Sequence, residues 1–169
     1  QTAPYTIGEW TRYATIEKDQ SYWVYRRRHR SGRTEVLLDE NERARGQTYF
    51  KINNLQVNPA QTHIAWLEDT QGQERFTLYI QNLVTKDIRS IDQSNIKWTL
   101  AWLDNDHIAY ICGDDSERPC SIQLYNIHTE QSILIWHEPD EHFYVTVRQA
   151  RIGNVVVCEA HSKTTSDVR

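Results

Sequence analysis

A pattern of short apolar strands recurs about every forty-odd residues, and it constrains the fold more than any other feature of the chain. Ile64-Ala65-Trp66 corresponds to Ile108-Ala109-Tyr110 at an offset of 44 residues. Leu78-Tyr79 corresponds to Leu124-Tyr125 at an offset of 46, and a third copy begins at Tyr144. Repeats of four short strands at this period are typical of β-propeller blades. The sequence therefore predicts an all-β fold, a partial β-propeller of about three to four four-stranded antiparallel blades.

The residues before the first clear repeat are also predicted to be strands. Trp10–Ile16, Ser21–Tyr25 and Arg33–Leu38 are rich in β-forming residues and are separated by turn residues. The polar stretch Asp39–Gln47 predicts a single helical turn, centred on Asn41–Gly46, which connects blades and contributes no core helix. The three strand segments are expected to form either the last part of one blade or a complete, irregular blade.

The strand pattern predicts where the propeller is open. The third copy stops before its outer strand, so residues 1–169 are expected to be the N-terminal part of a propeller, without all of its blades. Tyr144, Val145, Val155 and Val157 are then expected to lie near an exposed surface or an unpaired edge. Such a surface favours self-association of the chain.

The charge balance excludes two classes of partner. The 169 residues include 19 lysines and arginines and 23 aspartates and glutamates, scattered along the chain, for a net charge of −4. Nucleic-acid and membrane-surface proteins depend on a basic field, which this chain lacks. The sequence also has no apolar run long enough to span a bilayer.

Three cysteines, Cys112, Cys120 and Cys158, are expected to be reduced thiols in strands or loops. A disulfide that joins Cys112 to Cys120 across one hairpin is the alternative. A zinc site would need a fourth ligand and a tighter spacing, so no structural metal is predicted.

Three charged segments have both a functional and a structural interpretation. His137–His142 (His-Glu-Pro-Asp-Glu-His) could hold a divalent cation, but Pro139 disfavours a helix and a solvated loop between blades is the simpler prediction. Asp69–Glu74 resembles a calcium loop only superficially and predicts a hairpin loop with a turn glycine. Arg26–Arg30 could bind phosphate, but a charged edge strand is favoured.

No catalytic machinery is predicted within this chain. It contains no Gly-x-Ser-x-Gly motif and no alternation of strands and helices that would place a serine at a strand–turn–helix junction. We therefore assign no catalytic residue, no metal site and no cofactor, and the sequence does not identify substrate-binding residues.

Several motifs together resemble one family, in order and spacing along nearly the whole chain. They are Tyr22–Arg27, Leu37–Asn41, Asp69–Glu74, Arg118-Pro119, Glu138–Phe143 and Lys163–Arg169. With these motifs the chain resembles the propeller region of the prolyl oligopeptidase family of serine peptidases, in particular its oligopeptidase B branch. Two positions depart from that pattern: Asn58-Pro59-Ala60 stands where the family usually has Ser-Pro-Asp, and Asp167 where it often has Glu.

The resemblance implies a two-domain cytoplasmic peptidase. In such a protein a seven-bladed propeller caps a C-terminal α/β-hydrolase domain, which carries the catalytic Ser, Asp and His. The propeller admits oligopeptides and excludes folded proteins, and the oligopeptidase B branch cleaves after Lys or Arg. The implied partners of this chain are its own catalytic domain and oligopeptide substrates.

A second hypothesis of a different class rests on the blade period alone. A propeller can be a scaffold for protein–protein interaction with no enzymatic role, because fold does not fix function. A nucleophile elbow in the sequence after residue 169 would favour the peptidase, whereas strand repeats alone would favour the scaffold.

Overall fold

A computed structural model of the chain describes residues 2–150 and 155–168. These residues form two compact units, which divide between Tyr49 and Phe50. Fourteen strands and one short helix lie within these described ranges: β1 (Tyr5–Ile7), β2 (Trp10–Thr15), β3 (Val24–His29), β4 (Thr34–Asp39), α1 (Glu40–Arg43), β5 (Lys51–Val57), β6 (His63–Asp69), β7 (Phe76–Asn82), β8 (Ile88–Trp102), β9 (His107–Gly113), β10 (Pro119–Asn126), β11 (Gln131–His137), β12 (Tyr144–Gln149), β13 (Val156–His161) and β14 (Ser166–Val168).

The first unit is one four-stranded antiparallel blade with strand order β1-β2-β3-β4, here blade 1. The predicted edge strand at Arg26–Arg30 is wrong, because β3 lies inside the sheet between β2 and β4. Arg27 of this strand interacts with groups on the neighbouring strands of the same blade. Arg27 is 5% exposed, its guanidinium lies 4.0 Å from the Trp10 ring centroid, and it forms an ion pair of 2.7 Å with Glu35. A buried cation stays charged when an aromatic face and a carboxylate replace its water.

Helix α1 is as short as its polar sequence predicts. Its first residue, Glu40, follows the N-cap Asp39, whose side chain accepts a hydrogen bond from the backbone N–H of Asn41. Glu40 accepts from the backbone N–H of Trp23 (3.2 Å) and from the Tyr25 hydroxyl (3.0 Å). Burial raises the pKa of the Glu40 carboxyl, and the helical turn closes the outer end of blade 1.

The second unit contains a seven-stranded antiparallel sheet with the order β11-β10-β9-β8-β7-β6-β5. Its long strand β8 changes partners in the middle: Ile88–Ile91 pairs with β7, and Ile96–Trp102 pairs with β9. The sheet is therefore two blades joined by one continuous strand. Blade 2 consists of β5, β6, β7 and the first half of β8, and blade 3 consists of the second half of β8 with β9, β10 and β11.

The core fills the space between these two blades. Strand β6 is buried on both faces from Ile64 to Asp69, as its uninterrupted apolar run predicts. Leu67, Leu78, Leu100 and Tyr110 meet in one cluster of buried side chains together with Trp102. Stacking of blades thus supplies the second buried face that a single blade cannot provide.

Blade 4 has the order β12-β13-β14 and packs on blade 3 through a second apolar cluster. Val145 lies in the edge strand β12, as the predicted unpaired edge requires, but its side chain is not exposed: it is fully buried in this cluster against residues such as Ile111 and Ile122. Tyr144 (46% exposed) and Val155 (53% exposed) are exposed, as predicted.

The three cysteines are free thiols, with Cys112 and Cys120 buried and Cys158 partly buried. Burial raises the pKa of the Cys112 thiol to about 12 and also raises the pKa of Cys120, so both are neutral at pH 7. Within the described parts of the chain, no helix is long and apolar enough to cross a membrane.

Candidate functional site

Carboxylates are concentrated at one end of the strands in the second unit. Three of the loops at this end, residues 68–75, 113–118 and 138–143, hold nine carboxylates and two arginines. The loops at the other end, residues 58–62, 83–87, 103–106 and 127–130, hold four carboxylates and one lysine. We call the first set the acidic loop face. Because the strands run antiparallel, side chains that are scattered in sequence meet on this face.

Part of this acidity is structural, because aspartates fix the loop conformations. Asp69 is 1% exposed, and its carboxylate accepts from the backbone N–H groups of Gln71, Gly72 and Glu74 at 2.8 to 2.9 Å. Asp114, in the corresponding loop of blade 3, accepts from the backbone N–H of Arg118 at 3.1 Å. The predicted hairpin loop at Asp69–Glu74 is thus an Asx-capped turn whose carboxylate is occupied by the backbone.

The loops at the opposite end use asparagine in the same way. Asn82 accepts from the backbone N–H groups of Val84 and Thr85, and Asn126 accepts from those of His128 and Thr129. These two turns are 44 residues apart and follow β7 and β10, the corresponding strands of blades 2 and 3. The repeat seen in the sequence is therefore a repeat of capped turns as well as of strands.

An open groove of about 450 Å³ lies on the acidic loop face between blades 2 and 3. It is lined mainly by polar side chains, namely Glu68, Thr70, Gln71, Arg75, Thr77, Gln93, Ser94, Asn95, Asp114 and Asp115, with Phe76 and Gly113. Asp115 is exposed at its rim. The volume of the groove is that of a site for a small ligand or a short peptide segment.

Gly113 lines the groove at a point where the side chains of Asn95 and Lys97 lie close to its backbone. A Cβ atom at this position would lie 2.7 Å from Asn95 Nδ2 and 2.7 Å from Lys97 Cε, which is closer than a van der Waals contact allows. Asn95 lies where β8 changes partners, has a φ of +62°, and donates to the Asp114 carbonyl at 2.7 Å. Asparagine is among the few residues that adopt this left-handed conformation readily.

A cluster of three charged residues joins the two blades beside the groove. Glu117 of blade 3 accepts hydrogen bonds from Arg75 of blade 2 and from Lys97, whose side chain is only 2% exposed. The hydrogen bonds from Arg75 and then from Lys97 lower the pKa of the Glu117 carboxyl to about 2. Glu117 is the counter-ion of a buried lysine, which is costly to leave unpaired.

We expect Glu117→Gln to lower the midpoint of thermal unfolding at pH 7, because the buried Lys97 ammonium loses its counter-ion. The folded-state pKa of Glu117 lies below its ordinary value, so its contribution to stability is complete above about pH 4.5 and fades as the pH falls towards 2. Thermal unfolding of wild type and variant from pH 7 to pH 3 measures this, and the difference in midpoint should shrink below pH 4.5.

The matched control is Glu141→Gln, which removes one exposed carboxylate from the same face. It should change the midpoint little at any pH. A Glu117→Gln effect no larger than that of the control, or one that persists unchanged at pH 3, would contradict the assigned role.

The backbone of residues 138–143 accepts hydrogen bonds from one arginine, Arg118. Arg118 donates to the backbone carbonyls of Asp140 (2.9 Å), Phe143 (2.7 Å) and Glu138 (3.3 Å). The imidazole of His142, 80% exposed, lies 2.9 Å from an Asp140 oxygen. Among the residues that the structure describes, no group of three or more His, Cys, Asp or Glu is placed to hold a metal ion.

The structure brings the sequence motifs together in two places. In blade 1, Tyr22–Arg27 meets Leu37–Asn41, where the Tyr22 backbone N–H donates to Asn41 Oδ1 at 3.2 Å. In the second unit, Asp69–Glu74, Arg118-Pro119 and Glu138–Phe143 all lie on the acidic loop face. Sequence reasoning missed the Lys97–Glu117 pair and the Gly113 approach, because neither has a local signal in the chain.

The whole chain matches one protein family. Residues 1–169 match the model described as the N-terminal β-propeller domain of prolyl oligopeptidase. The chain belongs to this family. Membership in the prolyl oligopeptidase propeller family and the antiparallel blades confirm the predicted fold class, a partial all-β propeller.

The chain is similar to curated and solved members of the prolyl oligopeptidase family. It is 28% identical over 177 residues to Protease 2 of Moraxella lacunata, covering 98% of this chain and 26% of that protein. The structure of oligopeptidase B from Leishmania major matches with a TM-score of 0.89 at 20% identity, over 99% of this chain and 25% of that one. Oligopeptidase B from Trypanosoma brucei with covalently bound antipain, in its closed form, matches with a TM-score of 0.85 at 21% identity, over 99% of this chain and 24% of that one.

These proportions show that the chain spans about a quarter of the length of the curated relatives it matches. The family match confirms the predicted propeller of the prolyl oligopeptidase family, and the two oligopeptidase B structures show the same fold.

Proposed function

We propose that this chain is the non-catalytic propeller portion of a longer serine-type oligopeptidase that cleaves short peptides after Lys or Arg in the cytoplasm. Family membership and the similarity to Protease 2 support a peptidase. In this proposal residues 1–169 are the N-terminal part of the propeller. The partner is a C-terminal α/β-hydrolase domain that carries the catalytic Ser, Asp and His, and this chain supplies none of the catalytic groups and holds no cofactor or metal.

The acidic loop face is the observation that carries the preference for basic peptides. Glu68, Asp69 and Asp114 accept hydrogen bonds within the protein, and the cation in the groove lining, Arg75, is paired with Glu117. Asp115 and Glu74 are exposed. Exposed charges of one sign around a groove raise the local concentration of ligands of the opposite sign. Peptides that carry Lys or Arg are therefore favoured near this face over acidic ones.

The dimensions of the groove support selection by size. Its volume of about 450 Å³ lies in the range of small-ligand sites, whereas a folded domain of 100 residues has a radius of gyration of about 13 Å. The Arg75–Glu117 pair and the Asp-capped turns hold the loops around the groove in one conformation. An extended peptide segment fits a groove of this volume, whereas a folded domain does not.

The sequence that follows residue 169 in the gene tests the peptidase assignment directly. A Gly-x-Ser-x-Gly elbow after further blades, followed by Asp and His, is the expected result. Strand repeats with no such elbow would instead support the interaction scaffold. Hydrolysis of an Arg-containing chromogenic peptide should then require the longer protein, and the 169-residue chain alone should give no turnover.

We expect Asp115→Asn in the longer protein to lower kcat/KM for Arg-containing peptides by about twofold to fivefold at low ionic strength, because it weakens electrostatic attraction at the groove. The effect should fade at about 0.5 M salt, where charges are screened within a few ångströms. Steady-state kinetics with a neutral peptide of the same length provides the reference.

Asp87→Asn is the matched control, since Asp87 is exposed on the opposite loop face. It removes the same charge and should leave kcat/KM within experimental error. Equal effects of the two variants would show that net charge, and not the acidic loop face, sets the preference.

A further inference from the structure

The exposed strand edges of the described residues differ in the features that prevent edge-to-edge pairing. Strands β1 and β14 are only three residues long. Edges β4, β5 and β12 carry Glu35, Lys51 and Arg148, respectively. Strand β11 is seven residues long, Gln-Ser-Ile-Leu-Ile-Trp-His, with no Lys, Arg, Asp or Glu. Short length and charge are two usual protections of an exposed edge, and β11 has neither; its protection is limited to a β-bulge at Ile135, where its register with β10 shifts by one residue.

The exposed part of β11 is apolar. Ile133, Leu134 and Ile135 are 59%, 57% and 46% exposed, and they are consecutive. The inner side of the strand is well anchored, because it pairs with β10 and Ser132 Oγ lies 2.8 Å from the Tyr110 hydroxyl. A fixed strand that presents three large aliphatic side chains and lies at the end of its sheet in the described part of the chain is a preformed surface for another strand.

We propose that β11 is the dimerisation edge of this chain, where it pairs antiparallel with β11 of a second copy. Leu134 is the middle residue of the seven, so a two-fold axis through it sets Ile133 against Ile135 and Ser132 against Trp136. Gln131 then lies opposite His137. This pairing brings no two carboxylates, lysines or arginines together, and it covers apolar residues with apolar residues.

The partner strand is β11 of a second copy, because β11 is complementary to itself in charge and polarity. A partner strand must bring aliphatic side chains to its centre and uncharged polar residues to its ends, and Gln131–His137 does both. Pairing of one strand buries less than the roughly 800 Å² per partner of a standard interface, so the dimer is weak and depends on concentration.

Sedimentation velocity over a dilution series tests the proposal. Wild type should shift from monomer to dimer as concentration rises, and Leu134→Lys should weaken the dimer at least about tenfold, since two lysines would meet at the axis. Ile133→Lys should act in the same direction. Because both positions are largely solvent-exposed, circular dichroism should be unchanged. Val84→Lys, at a turn residue that is 80% exposed, is the matched control and should still dimerise.

A cysteine at the axis tests the register. Residues directly opposite in antiparallel strands have Cα atoms about 4.5 to 5.5 Å apart, within the range of a disulfide. Leu134→Cys should therefore form a covalent dimer with oxidised glutathione, and Val84→Cys and wild type should not. A wild type that stays monomeric near 1 mM, a dimer unaffected by Leu134→Lys, or a dimer without the Leu134→Cys cross-link would each overturn the proposal.

Discussion

Trp102→Ala is expected to lower the free energy of unfolding of the second unit by about 3 to 5 kcal/mol, the usual cost of truncating a large buried side chain. Trp102 is fully buried in the cluster between blades 2 and 3. Its indole N–H donates to the Gln56 carbonyl at 3.3 Å, so the substitution also removes a bond between the two blades. Urea denaturation followed by circular dichroism measures the change.

Leu103→Ala provides the comparison, because the neighbouring Leu103 is 38% exposed and lies in a loop. It should cost less than about 1 kcal/mol, as most partly exposed positions do. If Trp102→Ala were no more destabilising than Leu103→Ala, the packing between blades would not be the main source of stability in this unit.

Arg118→Ala should be the second large effect, with a loss of about 2 to 4 kcal/mol, because charge-assisted hydrogen bonds to backbone carbonyls are broken together. Arg118 is 17% exposed and links Asp114 of blade 3 to the connection that leads into blade 4. Without it, the carbonyls of residues 138–143 lose their common donor. Amide hydrogen exchange should therefore become faster in residues 138–149, in addition to the fall in stability.

Arg75→Ala is the control for charge loss on the same face. Arg75 is 57% exposed and its ion pair with Glu117 is open to solvent on that side, so the cost should be about 1 kcal/mol or less. Faster exchange in residues 138–149 is not expected for this variant. A result in which both arginine variants behave alike would show that Arg118 does not organise the connection.

The repeating part of the fold could be predicted from the sequence because its signal is local. Runs such as Ile64–Leu67 and Ile108–Ile111 are apolar at every position, which is the pattern of strands covered on both faces. The polar loops and the single helical turn near Glu40 follow from turn residues in the same way. These features determine a partial propeller, and the structure confirms it.

The candidate site could not be predicted, since its contacts connect residues that are distant in the chain. Lys97 is a charged residue inside a strand, and nothing beside it in sequence shows that Glu117 will neutralise it. Arg27 illustrates the same limit: a run of arginines suggests an exposed edge, but Trp10 and Glu35 on neighbouring strands allow it to be buried. In both cases tertiary contacts override the local preference.

The continuous strand β8 and the capped turns at Asn82 and Asn126 also bear on how such a propeller can lengthen, shorten or be recombined. A genetic exchange with both breakpoints at these turns, 44 residues apart, would add or remove one complete set of four strands and rejoin a turn to its equivalent. A breakpoint near Asn95 would leave each of two blades with half of a shared strand. The segment that such an exchange transfers is therefore shifted by one strand relative to the four strands that form one blade in the structure.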